Sequence, residues 1–156
     1  MRRKKVKIGD IFPVVTSKGI CYGQLINTNK TYGYIVAIFR EFFEETPTDF
    51  TTIVSKEPQL ITCFVFQTAV NVGLFTVIDN VPVAPHLQEF PIFRTTNNLK
   101  MGEDAVWWFW DGDQQWRIRR PLAEVEKKYP AGPAFPSAPL LIQYVRDDYR
   151  VERDYI

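Results

Sequence analysis

Few residues of this chain have the type and spacing that catalysis needs. A nucleophile activated by a nitrogen base would require His86, the only histidine, beside Cys21, Cys63 or a serine, with a third group to orient the ring. His86 stands among Pro82, Pro85 and Pro91, where an ordinary polar role in a loop accounts for it. Cys21 and Cys63 are too far apart in sequence to show the close ligand spacing of a zinc site, and each sits in a strand-like run, so both read as small buried apolar residues. The closest carboxylate pairs, Asp111 with Asp113 and Glu44 with Glu45, are explained by turn chemistry around Gly112 and by a solvated acidic face. Gly19, Gly23, Gly33 and Gly73 are scattered and make no phosphate-cradling loop before a helix. The sequence therefore predicts a protein that is not an enzyme, with no catalytic, metal or cofactor-binding residues.

Binding chemistry is better supplied. Trp107, Trp108, Trp110, Trp116, Arg117, Arg119 and Arg120 could stack bases and grip phosphates on a small β-barrel, which is the alternative reading of the chain. Strand alternation would send half of those side chains inward, so a buried Trp or two with Arg stems across the outer face is the simpler account. The second cluster is acidic: Glu41, Glu44, Glu45 and Asp49 are interleaved with Phe42 and Phe43. The whole chain carries four Trp, seven Tyr and twelve Phe, more ring surface than a small core needs, which leaves some for an interface.

These groups must be positioned by a mostly β scaffold. A turn at Gly9-Asp10 leads into a strand through Thr16 that contains Pro13, and Ser17-Lys18-Gly19 turns the chain into Ile20–Ile26, completing a hairpin. After a turn at Asn27–Lys30, the aromatic and β-branched run Tyr32–Phe39 gives a third strand. Glu41–Asp49 fits either an irregular excursion or one helical turn. Leu60–Thr68 and Phe75–Ile78 read as strands, and Asp79–Phe93 as a long surface loop whose prolines remove ladder donors. Ala105–Trp110, Asp111-Gly112-Asp113 and Gln115–Arg119 spell a second hairpin. Pro121 suits the first turn of a short helix to Tyr129, and Leu141, Tyr144, Val145 and Tyr149 recur at the spacing of an amphipathic helix over Ala138–Tyr149, a stretch that also tolerates a strand.

The fold class expected is mainly β (α+β): a strongly curved antiparallel sheet or partly open barrel with one or two short helices. The 156 residues suffice for one core, with residues 1–129 forming the β-rich domain. Residues 130–156 form a Pro-rich linker and a tail that packs on the same domain. Nineteen basic and eighteen acidic residues leave a formal charge of +1, so no overall field steers the protein to nucleic acid or anionic lipid. No apolar run is long enough to cross a bilayer, and the basic residues Arg2–Lys5 are not followed by the apolar core of a secretory signal.

The segment Lys7-Ile8-Gly9-Asp10-Ile11-Phe12, followed by Tyr22-Gly23-Gln24-Leu25-Ile26, the strand Ile35-Val36-Ala37-Ile38-Phe39 and the element Pro91-Ile92-Phe93, resembles the immunity protein 26 family of bacterial polymorphic toxin systems. The resemblance runs from Lys5 towards Arg120. It implies a cytoplasmic protein, encoded beside a toxin, that neutralises that toxin by direct binding and without catalysis, while the balanced charge and short apolar runs point to no membrane and no nucleic-acid partner. If the toxin is a basic nuclease, Glu41, Glu44, Glu45 and Asp49 would imitate phosphates, with Phe42 and Phe43 as anchors between them. Gly9 and Asp10, the motif's most distinctive pair, read instead as backbone devices: a glycine for an unusual dihedral and an aspartate that caps the turn.

Overall fold

The computed structural model describes residues 4–96, 105–132 and 134–154. Two antiparallel sheets dominate it. The first contains β1 (Asp10–Thr16), β2 (Gly19–Asn29), β3 (Gly33–Phe39), β4 (Pro58–Phe64) and β5 (Asp79–Asn80), in the order β4-β3-β2-β1-β5. The second contains β6 (Phe93–Thr95), β7 (Val106–Trp110) and β8 (Gln115–Arg119), in that order. Short helices fill the gaps: α1 (Thr51–Val54), α2 (Phe66–Asn71), α3 (Pro85–Gln88), α4 (Ala138–Arg146) and α5 (Val151–Asp154). The sheets do not close into a barrel, so the partly open form of the expected β architecture is the one adopted.

Alternation builds a core on each face of the larger sheet. Phe12, Val14, Cys21, Leu25, Val36, Ile38 and Phe64 point one way, where α2 and α4 cover them with Phe66, Ala69, Leu141 and Val145. Ile11, Tyr22, Ile26, Ile35, Ala37, Phe39 and Cys63 point the other way, beneath Phe50, Ile53, Leu87 and Phe93. A sheet covered on both sides explains why β3 reads as an unbroken apolar run. Register is set locally at Gly23, which pairs with Phe12 and whose missing side chain leaves room for that ring to lie across the strand.

The Gly9-Asp10 turn is a structural clasp. Gly9 adopts φ +95°, and Asp10 is 3 % exposed. One Asp10 carboxylate oxygen accepts the Lys7 amide at 2.8 Å and the other accepts Asn80 Nδ2 at 2.9 Å, which ties the start of β1 to β5. Because β5 pairs only with Asp10 and Ile11, the outer edge of β1 is open at Pro13, where a missing donor costs no ladder bond.

Four expected elements differ. The strand expected over Leu60–Thr68 stops at Phe64, and Phe66–Asn71 is helical, because Phe66 and Ala69 at i, i+3 spacing cap the first core. Phe75–Ile78 is not a strand: Phe75 plugs the same core between Phe12 and Phe64, and pairing begins only at Asp79. The helix from Pro121 to Tyr129 shrinks to a 3-10 turn at Glu126–Lys128, held by the Glu126 carboxylate accepting the Ala123 amide at 2.7 Å. β2 continues through Asn27–Asn29, after a bulge between Leu25 and Asn27, so the turn falls later than expected.

The tail is knitted into this frame. Pro130 and Gly132 bracket Arg94: its amide donates to Pro130 O at 2.9 Å, and its carbonyl accepts the Gly132 amide at 3.0 Å. The Arg94 side chain is wholly buried, donating to the carbonyls of Tyr129, Lys127 and Val151 at 3.0–3.2 Å with its guanidinium 4.8 Å from the Trp107 ring. α4 begins at Ser137, whose Oγ accepts the Leu140 amide, and it sinks Leu141 and Val145 into the first core. Each of those side chains contributes about 1.5–3 kcal/mol by burial.

Candidate functional site

The acidic segment leaves β3 after Phe39 and is pinned at its middle. Phe43 forms an isolated antiparallel bridge with Ile20, the two amides and carbonyls exchanging hydrogen bonds of 2.7 and 3.0 Å. Gly19, at φ +128°, makes this approach possible, since a side chain there would press on Phe42 Cβ at 3.2 Å. Successive residues then face opposite ways. Phe42 packs against the first core, and Phe43 packs against the second with its ring 5.8 Å from Tyr22.

Both rings are half-buried in the protein's own cores, so of the six candidate residues only Glu41, Glu44, Glu45 and Asp49 are exposed. Two of these have local tasks. Glu41 pairs with Lys56 at 2.7 Å, an exposed ion pair of small energetic value, and Asp49 accepts the Thr51 amide at 2.9 Å at the start of α1. Glu44 and Glu45 form no ion pair or hydrogen bond among the described residues, which leaves two uncommitted carboxylates on a fixed backbone.

The aromatic and basic hairpin is arranged differently. Trp107 and Phe109 point to a third small core with Ile118, Leu122 and Tyr129. Trp110 turns to the other face and wedges between Tyr32, Phe90 and Phe93, with ring centroids 4.7–5.4 Å apart, so it joins the two sheets. Trp108 lies beneath Arg117 at 5.6 Å, and Trp116, 37 % exposed, meets Phe109 edge to face. Arg120 grips Glu126 through two bonds of 2.7 and 3.0 Å, which holds the Glu126 carboxyl below the usual carboxylate range. The connecting turn rests on Asp111, whose Oδ1 accepts the amides of Gln114 and Asp113, and these bonds lower its pKa.

The residues weighed for catalysis are separated. His86 sits exposed on α3, its Nε2 3.3 Å from Lys56 O, beside a cleft of about 260 Å³ that Glu89 and Tyr129 also line. Cys21 and Cys63 belong to opposite faces of the larger sheet, and burial pushes their thiols up to about 12 and about 11. A thiol so raised stays protonated near neutrality, where it is a poor nucleophile and metal ligand. Among the described residues no cluster of three or more His, Cys, Asp or Glu could hold a metal ion, and no helix is long and apolar enough to cross a membrane.

One feature was invisible in the sequence. A cleft of about 530 Å³ opens beside β4, between Arg40 and Gln59 on one side and Lys128, Val151 and Glu152 on the other. It is assembled from four separate stretches of chain, around Arg40, Glu57–Ile61, Lys128–Ala131 and Val151–Glu152, and no local pattern of residue types marks it.

A family model described as Immunity protein 26 matches residues 7–104, well over half the chain. The matched span holds β1–β6 and the acidic segment, and it ends before β7, β8 and the tail. No curated protein and no solved structure matches the chain.

Proposed function

The chain belongs to the immunity protein 26 family, and on that premise we propose that it neutralises a cognate bacterial toxin in the cytoplasm by binding it directly, without catalysis. The family match carries this reading. The rest of the molecule supports it: the thiols are buried and raised, and the single histidine lies exposed on α3 with its Nε2 against Lys56 O.

The contact surface proposed is the segment Glu41–Asp49. Phe42 and Phe43 fix its backbone from inside, and Glu41, Glu44, Glu45 and Asp49 present carboxylates outside, a charge pattern suited to a basic partner such as a nuclease. Pre-fixing the backbone lowers the ordering cost of association. The alternative, a nucleic-acid-binding hairpin, draws no support from ring placement, since three of the four Trp side chains are buried, wedged or covered by Arg117.

Co-expression with the C-terminal domain of a toxin encoded beside this chain tests the reading. Restored growth together with co-purification is the expected result. Growth arrest with no complex, from a chain that is folded, would overturn it.

A further inference from the structure

The two sheets have four terminal strands, and three are blunted. β5 is two residues long. β4 runs beside the tail, with Thr62 Oγ1 donating to Ala134 O at 3.4 Å and Gln59 Nε2 to Tyr144 O at 3.3 Å. β6 is bridged in parallel by Ala131. β1 is also open beyond Ile11, but Pro13 interrupts that stretch, whereas β8 keeps a continuous, proline-free edge of five residues: among the described residues it pairs only with β7. An edge strand turns every second amide and carbonyl outward, so β8 offers a ready-made hydrogen-bonding template.

Its side chains determine what the template accepts. Arg117 and Arg119 share one face of β8, both exposed, and neither makes an ion pair or a side-chain hydrogen bond among the described residues. Trp116 and Ile118 share the other face, beside the third core. A second copy of this chain added antiparallel about Arg117 would set Arg117 against Arg117, and a one-residue change in the symmetry centre would set Arg117 against Arg119. Like charges directly opposite are destabilising, so self-pairing is opposed. An incoming strand with acids at alternate positions meets the two guanidiniums instead, while apolar residues between those acids lie over Trp116 and Ile118.

We propose that the β8 edge docks an extended segment of a partner protein in which acidic and apolar residues alternate, by adding it as a fourth strand to the smaller sheet. This goes beyond the toxin reading and stands without it, since β8 and the acidic segment carry opposite charge. A nucleic acid fits the same arginines less well, because the Trp108 ring lies under Arg117 and the free edge is backbone.

The test uses the full chain and three probes: a capped peptide alternating glutamate and valine, its lysine–valine counterpart, and single-stranded oligothymidylate. Amide hydrogen exchange is read residue by residue, with Trp fluorescence as the titration signal. The expected result is binding of the glutamate peptide alone, with slowed exchange confined to residues 115–119. The double variant Arg117→Glu/Arg119→Glu should lose this by about tenfold or more and gain the lysine peptide, while Arg117→Lys/Arg119→Lys keeps the original preference. Both pairs are exposed, and unchanged near-ultraviolet circular dichroism verifies that each variant is folded. Binding of oligothymidylate in place of the peptide, protection at β4 rather than β8, or no binding by any peptide would overturn the proposal.

Discussion

The acidic segment and the aromatic hairpin both combine rings with charges, yet they put them to opposite use. In Glu41–Asp49 the rings turn inward, Phe42 to one core and Phe43 to the other, and the carboxylates are left outside, Glu44 and Glu45 with no task in holding the backbone. In Val106–Arg119 the rings are shared between both faces of the hairpin, so charge and aromatic surface remain together, as at Trp108 beneath Arg117. The difference follows from strand pairing. A single bridge to Ile20 fixes two neighbouring residues back to back, whereas continuous pairing of β7 with β8 sets like faces side by side over five residues. Stability and binding should therefore be separable in the acidic segment and entangled in the hairpin.

The strongest break in this comparison is Trp110→Ala. Its ring joins the two sheets through Tyr32, Phe90 and Phe93, and removing it should cost about 3–4 kcal/mol in urea unfolding. Trp116→Ala in the same hairpin, at an exposed edge position, should cost under about 1 kcal/mol. Equal losses at the two positions would show that the rings act as one surface and that the two-faced division is wrong.

Phe43→Ala comes next, at about 2 kcal/mol, because the ring is half-buried against Tyr22 while its backbone bridge to Ile20 survives the change. Gly19→Ala should lower stability through the same segment, since the φ of +128° disfavours any side chain and the added carbon would crowd Phe42. Loss at Gly19 without loss at Phe43 would show that strain in the turn, not anchoring by the ring, sets the segment's position.

How far these two regions were legible depends on how local their determinants are. The β1–β2–β3 meander, the Asp111–Asp113 turn and α4 follow from period-two or helical spacing and from turn residues within a few positions, and the structure contains all of them. The split of Phe42 from Phe43 depends on Ile20, the stop of β4 at Phe64 depends on where the first core ends, and Phe75 was drawn from a strand into that core by Phe12 and Phe64. None of these partners is near in sequence. The acids themselves were readable as acids, but which of them are uncommitted was not, because Lys56 and the Thr51 amide reach Glu41 and Asp49 only once α1 is in place. The 530 Å³ cleft beside β4 had no sequence signal at all, for the same reason.

Glu126 sharpens the comparison on the hairpin side through pH. Its carboxylate is mostly buried and takes two bonds from Arg120 and one from the Ala123 amide, so Glu126→Gln should cost about 1–2 kcal/mol. Because the folded-state pKa lies below the unfolded one, the stabilisation is complete above the unfolded value and disappears as pH falls through the folded value. Wild type and variant should thus converge in stability as the solution is acidified, as followed by urea midpoints across the acid range. A gap that persists below the folded-state pKa would assign the effect to packing rather than charge.

The smallest stability effect belongs to Glu44→Lys/Glu45→Lys, and it decides whether the acidic segment is a binding surface. Neither carboxylate has a partner among the described residues, so the double reversal should leave unfolding within about 0.5 kcal/mol of wild type. Against a basic toxin domain the same change should weaken association about tenfold or more, mostly through slower encounter and with reduced salt dependence. Unchanged affinity at unchanged stability would remove the segment from the interface, even where the chain still protects the cell. The reverse reversal, Lys56→Glu, would then be uninformative for binding but would still free Glu41 from its ion pair. If the segment does bind, that variant should strengthen association by adding a carboxylate beside the four already exposed, and surface plasmon resonance at two salt concentrations would resolve the gain.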